Sequence, residues 1–139
     1  MNEKRLSVDE LLQTPYWIID ILPEQVPADS AGQYFKIERY MMQGSQRAAV
    51  KQKHINLILK ANCYRDLSLD EGQSFNPAPA RIAEKLGTER TLVMLDRAML
   101  VSEPDDTHLT VFNPDESLLS LLRALAAGEG LYLWKPAQP

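Results

Sequence analysis

Residues 91–112 read TLVMLDRAMLVSEPDDTHLTVF. Short apolar runs separated by turn residues predict strands over Thr91–Leu95, Ala98–Ser102 and Thr107–Phe112. The second and third of these form a hairpin. Its turn is EPDD at residues 103–106, where proline and aspartate are favoured for backbone reasons. The rest of the fold is predicted outward from this hairpin.

A helix is predicted on each side of the hairpin, over Pro79–Leu86 and Glu116–Ala127. Each follows a Phe-Asn-Pro tripeptide, at residues 75–77 and 112–114. The asparagine is expected to cap the helix and the proline to be its first residue, where a missing N–H costs nothing. A glycine follows each helix as a C-cap, and a further strand is predicted over Leu131–Lys135.

With a strand over Cys63–Leu69, the second part of the chain runs strand, helix, strand, strand, helix, strand. This order is the split βαβ, or ferredoxin-like, pattern. The sequence therefore predicts an α+β fold, with a two-layer ferredoxin-like sandwich in residues 63–139 and helix, strand and helix additions before it. The length of 139 residues is typical of a single domain spanning 1–139.

The first of these additions is a helix followed by a strand. Ser7 and Glu10 have the spacing of a capping box, which predicts a helix over Val8–Gln13. Residues 16–22 read YWIIDIL. Aromatic and β-branched residues bounded by prolines predict a buried strand there.

Two further segments are less uniform in pattern. Gln33–Met42 has apolar residues at helical spacing, which favours a helix. Residues 45–62 fit a helix, but the alternation from Ile55 to Cys63 also fits a strand. Length favours the helix, because few strands run so far.

The charge of −4 lies in the second half of the chain, whereas Lys36–Lys60 holds six basic residues and one acidic residue, Glu38. A nucleic-acid-binding domain is usually basic throughout. We therefore expect a solvated basic face and no nucleic-acid partner. The alternative is an RNA-binding surface formed by Arg47, Lys51, Lys53 and Lys60.

The cysteine content indicates the cellular compartment. Cys63 is the sole cysteine, so no internal disulfide can form and a reducing cytoplasm is expected. No apolar run approaches the roughly 20 residues that span a bilayer. No signal-peptide pattern is found, so we expect no membrane association.

One acidic cluster has residue types that bind metals. Glu103, Asp105, Asp106 and His108 lie within six residues of one another, and oxygen and imidazole ligands can hold a divalent ion. However, their spacing matches no known ligand motif, and a tight turn favours the same residues. The sequence therefore predicts a solvated turn, no bound metal and no cofactor.

Three residues are weak candidates for catalysis. Asp20 interrupts an apolar strand, where a hydrophobic site can raise the pKa of a carboxyl. Cys63 and His54 are the candidates for a Cys–His pair. A small enzyme or small-molecule-binding protein would have its pocket near these three. The alternatives are structural: a solvated or backbone-bonded Asp20, a helix-lining His54 and a buried Cys63.

Aromatic residues are concentrated in the first half of the chain, at Tyr16, Trp17, Tyr34, Tyr40 and Tyr64. Aromatic residues dominate cores, and also interfaces when they are exposed. No nucleophile elbow or phosphate-binding loop occurs. The sequence therefore favours a non-catalytic binding or protein-interaction module that forms a homodimer. Whether the chain is an enzyme stays open, with the pocket-containing protein as the alternative.

Overall fold

The computed structural model describes residues 6–29 and 32–137. The helices are α1 (Val8–Leu11), α2 (Gln33–Met41), α3 (Gly44–Asn62), α4 (Pro79–Thr88) and α5 (Glu116–Gly128). A short 3-10 turn at Asp70–Gly72 follows the second strand. None of the described helices is both long and apolar enough to cross a membrane.

The strands form one seven-stranded antiparallel sheet in the order β3-β2-β4-β5-β6-β1-β7. They are β1 (Tyr16–Asp20), β2 (Leu67–Leu69), β3 (Ser74–Phe75), β4 (Thr91–Leu95), β5 (Ala98–Ser102), β6 (Leu109–Phe112) and β7 (Tyr132–Trp134). The predicted mixture of helices and strands is confirmed, and β4 and β5 have the predicted bounds.

The ferredoxin-like arrangement is not confirmed. In a βαβ crossover the strands on either side of the helix run parallel, and in the split form another strand lies between them. Here the predicted strand β2 is a direct antiparallel neighbour of β4, with Leu67 opposite Leu95, and β3, which the sequence did not predict, lies between β2 and α4 in the chain. After α5, β7 pairs with β1, with Ile19 opposite Leu133. The N-terminal strand is therefore part of the sheet and not an addition to it.

Residues 45–62 are helical, and α3 is the longest helix described. Its inner side buries Val50, Leu57, Ile58 and Ala61. Cys63 is the C-cap of this helix, so the predicted strand over 63–69 begins only at Leu67. The segment forms a helix and not a strand because its apolar residues recur on one helical side over five turns. A strand would bury only part of these residues.

The capping predictions were right for the first helix and wrong for the later two. Ser7 and Glu10 form the expected capping box, with the Glu10 carboxylate accepting the Ser7 N–H at 2.9 Å. The N-caps of α4 and α5 are Ala78 and Asp115, not the asparagines of the two tripeptides. The Asp115 carboxylate accepts the amide N–H of Leu118 at 2.7 Å.

The two asparagines instead sit in turns with positive φ, 42° at Asn76 and 60° at Asn113. Asparagine tolerates this left-handed conformation better than most residues. Asn76 Oδ1 accepts the Leu67 N–H at 2.8 Å, and Asn113 Nδ2 donates to the Arg97 carbonyl at 3.2 Å. Each asparagine therefore joins its turn to the sheet and leaves the helix cap to a later residue.

The main core lies between one face of the sheet and three helices. The side chains that face this core alternate along the strands, as period-2 pleating requires. The strand contribution includes Ile19, Val93, Leu95, Leu100 and Val111, and α3, α4 and α5 contribute Ile58, Leu86 and Leu122 among others. This face of the sheet is closed.

The second face of the sheet has much less cover. Met99 and Val101 are buried there with Leu11 of α1, while Leu92, Met94 and Phe112 pack around them only partly buried. We call the outward apolar surface of this side the open face. It consists of Leu92, Met94 and Phe112, together with the more exposed Leu6, Leu12 and Tyr16.

Two isoleucines in helices provide a matched test of the core. Ile58 on α3 is fully buried, whereas Ile37 on α2 is 53% exposed. We expect Ile58→Ala to lower the free energy of unfolding by about 2–5 kcal/mol, because it leaves a cavity in the main core. Ile37→Ala should change it by less than about 1 kcal/mol. Urea unfolding followed by circular dichroism measures both, and equal losses would contradict this packing.

Candidate functional site

The loop between β5 and β6 brings two predicted metal ligands together. The Asp106 carboxylate accepts the backbone N–H of His108 at 3.0 Å, a local bond typical of aspartate in turns. The same oxygen lies 3.2 Å from His108 Nδ1. The turn therefore fixes both side chains next to each other, as their sequence separation of two allows.

His108 has a second carboxylate on its other ring nitrogen. Its Nε2 lies 3.4 Å from Asp20 Oδ2. Hydrogen bonding to Asp20 is the main cause that raises the pKa of His108, and the negative charges of Asp20, Asp106 and Glu38 add to it, against the opposing effect of burial. The imidazole is thus held among carboxylates on both of its edges.

Asp20 is 2% exposed at the end of β1. Its Oδ1 accepts the Ile21 N–H at 2.7 Å, and its Oδ2 faces His108. Buried carboxylates are rare unless they are paired, and here the partner is an imidazole 88 positions later in the sequence. That partner could not be named from the sequence.

Helix α2 supplies the remaining side chains of the site. Tyr34 Oη donates to Glu38 Oε2 at 3.0 Å and lies 3.5 Å from His108 Nε2. Burial and the Glu38 hydrogen bond raise the pKa of Tyr34. Glu38, Asp106 and His108 each offer one ligand atom, and these atoms lie within 4.8 Å of one another.

We call Asp20, Tyr34, Glu38, Asp106 and His108 the carboxylate–histidine cluster. Both imidazole nitrogens face carboxylates, so neither is aimed at a serine or cysteine that it could activate. Three carboxylates around one imidazole favour binding a positive charge over abstracting a proton. This arrangement differs from a hydrolase triad in the number of acidic groups.

A second polar network lies beside the cluster, between α3 and the same loop. Lys51 is 2% exposed, and its ammonium donates to Ser102 Oγ and to the Glu103 carbonyl, both at 2.9 Å. Its third contact is with His54 Nδ1 at 3.2 Å. All three ammonium donors therefore have acceptors, as a buried lysine requires.

His54 completes this network as a neutral side chain. Its Nε2 lies 3.2 Å from the Thr107 carbonyl, so Nε2 carries the proton and Nδ1 accepts from Lys51. Burial and the Lys51 charge lower the pKa of His54 to about 3. Burial and the Arg47 charge lower the pKa of Lys51 to about 8. His54 thus anchors the 103–108 loop to α3.

Cys63 is exposed at the end of α3, not buried, and its thiol contacts the Leu59 carbonyl at 3.6 Å. Among the described residues, no hydrogen bond or ion pair joins Cys63, His54 and Asp20 to one another. A pocket of about 300 Å³ lies against α2, lined by Phe35, Glu38, Arg39, Met42, Gln43 and Asp105. None of the three candidate catalytic residues lines it.

Two of the four predicted metal ligands point elsewhere. Glu103 pairs with Arg90 at 2.8 Å. Asp105 is 87% exposed and lies 3.7 Å from Arg47. Asp106 and His108 are the members of that group which join Glu38, and Glu38 was not a candidate from the sequence.

Most of the predicted basic surface is used within the fold. Lys51 is buried, Arg47 donates to the Gly87 carbonyl at 3.0 Å, and Lys60 pairs with Glu129 at 2.6 Å. Binding the phosphates of a nucleic acid requires free cations along one surface. These internal contacts reduce the number of cations that residues 36–60 can offer to a nucleic acid.

The buried ammonium predicts an unusual dependence of stability on pH. The pKa of Lys51 is about 8 in the folded chain against 10.5 ordinarily. Between those values the unfolded chain holds a proton that the folded chain lacks, so folding stability rises with pH. We expect the free energy of unfolding, relative to Lys51→Met, to rise by roughly 1–2 kcal/mol across this range, since nearby solvent screens part of the shift.

Chemical denaturation at a series of pH values measures this difference. Lys60→Met is the matched control on the same helix, because the side chain of Lys60 is 53% exposed. Its stability difference from wild type should stay nearly flat over the same pH range. A flat difference for Lys51→Met as well would show that the ammonium is solvated.

Comparisons with known proteins find no match: no protein-family model matches the chain, and neither does a curated protein or a solved structure.

Proposed function

We propose that this protein is a non-catalytic protein-interaction module that forms a homodimer through its open face. The observation that carries this proposal is the composition of the second sheet face. An antiparallel sheet with one face in water has polar residues on that face. Here the outward positions of β4 are Leu92 and Met94, and those of β6 are Thr110 and Phe112, so three of the four are apolar.

The cover over this face is bordered by exposed leucines, next to the exposed Asp9 and Glu10 of α1. Leu11 of α1 points inward and is 1% exposed, whereas Leu6 and Leu12 are 37% and 40% exposed. Leu6 and Leu12 flank this short helix in sequence and add exposed apolar area to the open face.

The Tyr16 and Phe112 rings extend the same surface, with their centroids 5.5 Å apart. Large aromatic side chains supply much of the binding energy in protein interfaces. A contiguous apolar surface of this kind is typical of an interaction site.

A second copy of the chain is the occupant that we propose. The six side chains that form the open face are uncharged, so contact between two copies there is dominated by apolar area, with the exposed Asp9 and Glu10 of α1 beside it. The sheet edges are strands of two and three residues, β3 and β7. Such short edges favour packing of sheet faces over pairing of edges.

Helix α2 carries another apolar surface, formed by Phe35, Ile37 and Tyr40, which are all more than half exposed. Lys36 and Arg39 are interspersed with these residues. Two copies meeting through α2 would bring these like charges near each other. The open face is therefore the better surface for self-association.

The proposal extends to compartment and partners. An exposed single thiol at Cys63 suits a reducing cytoplasm, since in an oxidising compartment it would tend to form intermolecular disulfides. Internal use of Arg47, Lys51 and Lys60 supports the expectation that nucleic acid is not a partner. A small enzyme is the weaker of the two candidate functions, because Asp20, His54 and Cys63 have separate partners.

The oligomeric state tests the proposal. We expect a dimer at micromolar concentration by sedimentation equilibrium. Leu92→Lys should weaken it at least about a hundredfold, because each leucine contributes roughly 1.5–3 kcal/mol and the substitution occurs twice in a symmetric interface. Circular dichroism checks that the variant is folded.

Phe35→Lys on α2 is the matched control, since Phe35 is 68% exposed but lies outside the open face. It should leave the dimer intact. A wild-type monomer at high micromolar concentration would overturn the proposal. So would dissociation by Phe35→Lys but not by Leu92→Lys.

A further inference from the structure

We propose that the carboxylate–histidine cluster is a binding site for a divalent transition-metal ion, with Glu38, Asp106 and His108 as its ligands. The ligands come from α2 and from the 103–108 loop, two segments about 70 positions apart in sequence. This site goes beyond the proposed dimer, because none of its ligands belongs to the open face.

The geometry is the first argument. The three ligand atoms already lie within 4.8 Å of one another. Ligands at about 2.0–2.2 Å from a common ion are about 3–4 Å apart. Asp106 Oδ1 and His108 Nδ1 are at 3.2 Å, so only a small movement of side chains is needed.

The charge balance is the second argument. Asp20, Glu38 and Asp106 place three carboxyl groups around the His108 imidazole in a partly buried site. Asp20 is almost fully buried, and the one described partner of its Oδ2 is the imidazole at 3.4 Å. The charge of Asp106 acts on Lys51, but the Lys51 ammonium bonds to Ser102, Glu103 and His54. A divalent cation would offset the negative charge of the carboxylates.

The second coordination shell is the third argument. A histidine that binds a metal usually donates its other ring N–H to a carboxylate. His108 has Asp106 at Nδ1 and Asp20 at Nε2. With Nδ1 as the ligand atom beside Asp106, the Nε2 N–H has Asp20 as its carboxylate acceptor. Asp20 is therefore the positioning residue that orients the ring.

The donor set selects the class of metal. One imidazole nitrogen and carboxylate oxygens suit Zn²⁺ or Mn²⁺ better than Ca²⁺, which prefers six to eight oxygen ligands. Tyr34, bonded to Glu38, holds one ligand in place as a neutral phenol. Water would complete the coordination.

Metal binding would also fix α2. This helix has no buried residue, and nine-residue helices are marginal in water without tertiary contacts. An ion held by Glu38 on one side and by Asp106 and His108 on the other would link the helix to the sheet. Bound metal should therefore slow amide hydrogen exchange in α2 at least about tenfold.

Calorimetric titration with MnCl₂ and with ZnCl₂ tests the site. The experiment uses the full chain with Cys63→Ser, because an exposed thiol binds Zn²⁺ on its own. We expect one ion per chain with a dissociation constant below about 10 µM. Glu38→Gln and His108→Ala should each weaken binding at least about tenfold, and Asp20→Asn should weaken it similarly through its effect on the ring.

Asp105→Asn is the matched control, since Asp105 lies in the same loop but pairs with Arg47 in solvent. It should bind the metal as the parent does. Glu38→Gln preserves the shape of the side chain, so it remains informative if His108→Ala fails to fold. No binding at millimolar metal overturns the proposal, as does binding that persists in both Glu38→Gln and the folded His108→Ala. Dimerisation is measured separately, so either proposal can fail alone.

Discussion

The central constraint on this structure is that its middle strands are apolar on both faces. Leu100 and Val111 point to one side of the sheet, and Met99, Val101 and Phe112 point to the other. Burying both sides of such strands requires cover on both sides. Three helices cover the first face, but α1 has four residues and covers only the centre of the second. The asymmetry of the whole molecule follows from this unequal cover.

The loop after β5 is the point where this core meets the polar site. Lys51 and His54 hold the loop from the α3 side through the Glu103 and Thr107 carbonyls, and His108 contacts Asp20 from β1. A buried ammonium and a neutral imidazole are costly to place in a core unless every donor is satisfied. The hydrogen bonds that satisfy these donors hold the loop in place. Asp106 and His108 therefore keep a defined geometry.

Local signals in the sequence predicted most elements but few of their partners. The capping box at Ser7 and the strands β4 and β5 were right because their determinants lie within a few residues. The pairing of β2 with β4 was missed, since backbone hydrogen bonds do not depend on side-chain identity. The cluster was half predicted: Asp106 and His108 are neighbours in sequence, whereas Glu38 joins them only through the placement of α2. A tyrosine four residues before Glu38 was the available clue, and such pairs are common on helices.

α1 and α2 are held in the fold by two kinds of interaction that depend on different physics. α1 is held by burial of Leu11, a contribution that salt affects little. α2 has no buried residue, and its contacts with the sheet side run through Tyr34 and Glu38 to His108, whose ring packs edge-on near Trp134 at 6.5 Å. The position of α2 therefore depends on the charge of the cluster, whereas the packing of α1 on the sheet depends on buried apolar area. Because the electrostatic and the apolar contributions are separate, we expect a cation to hold α2 in place without changing the open face. We likewise expect a partner to cover the open face without disturbing the cluster.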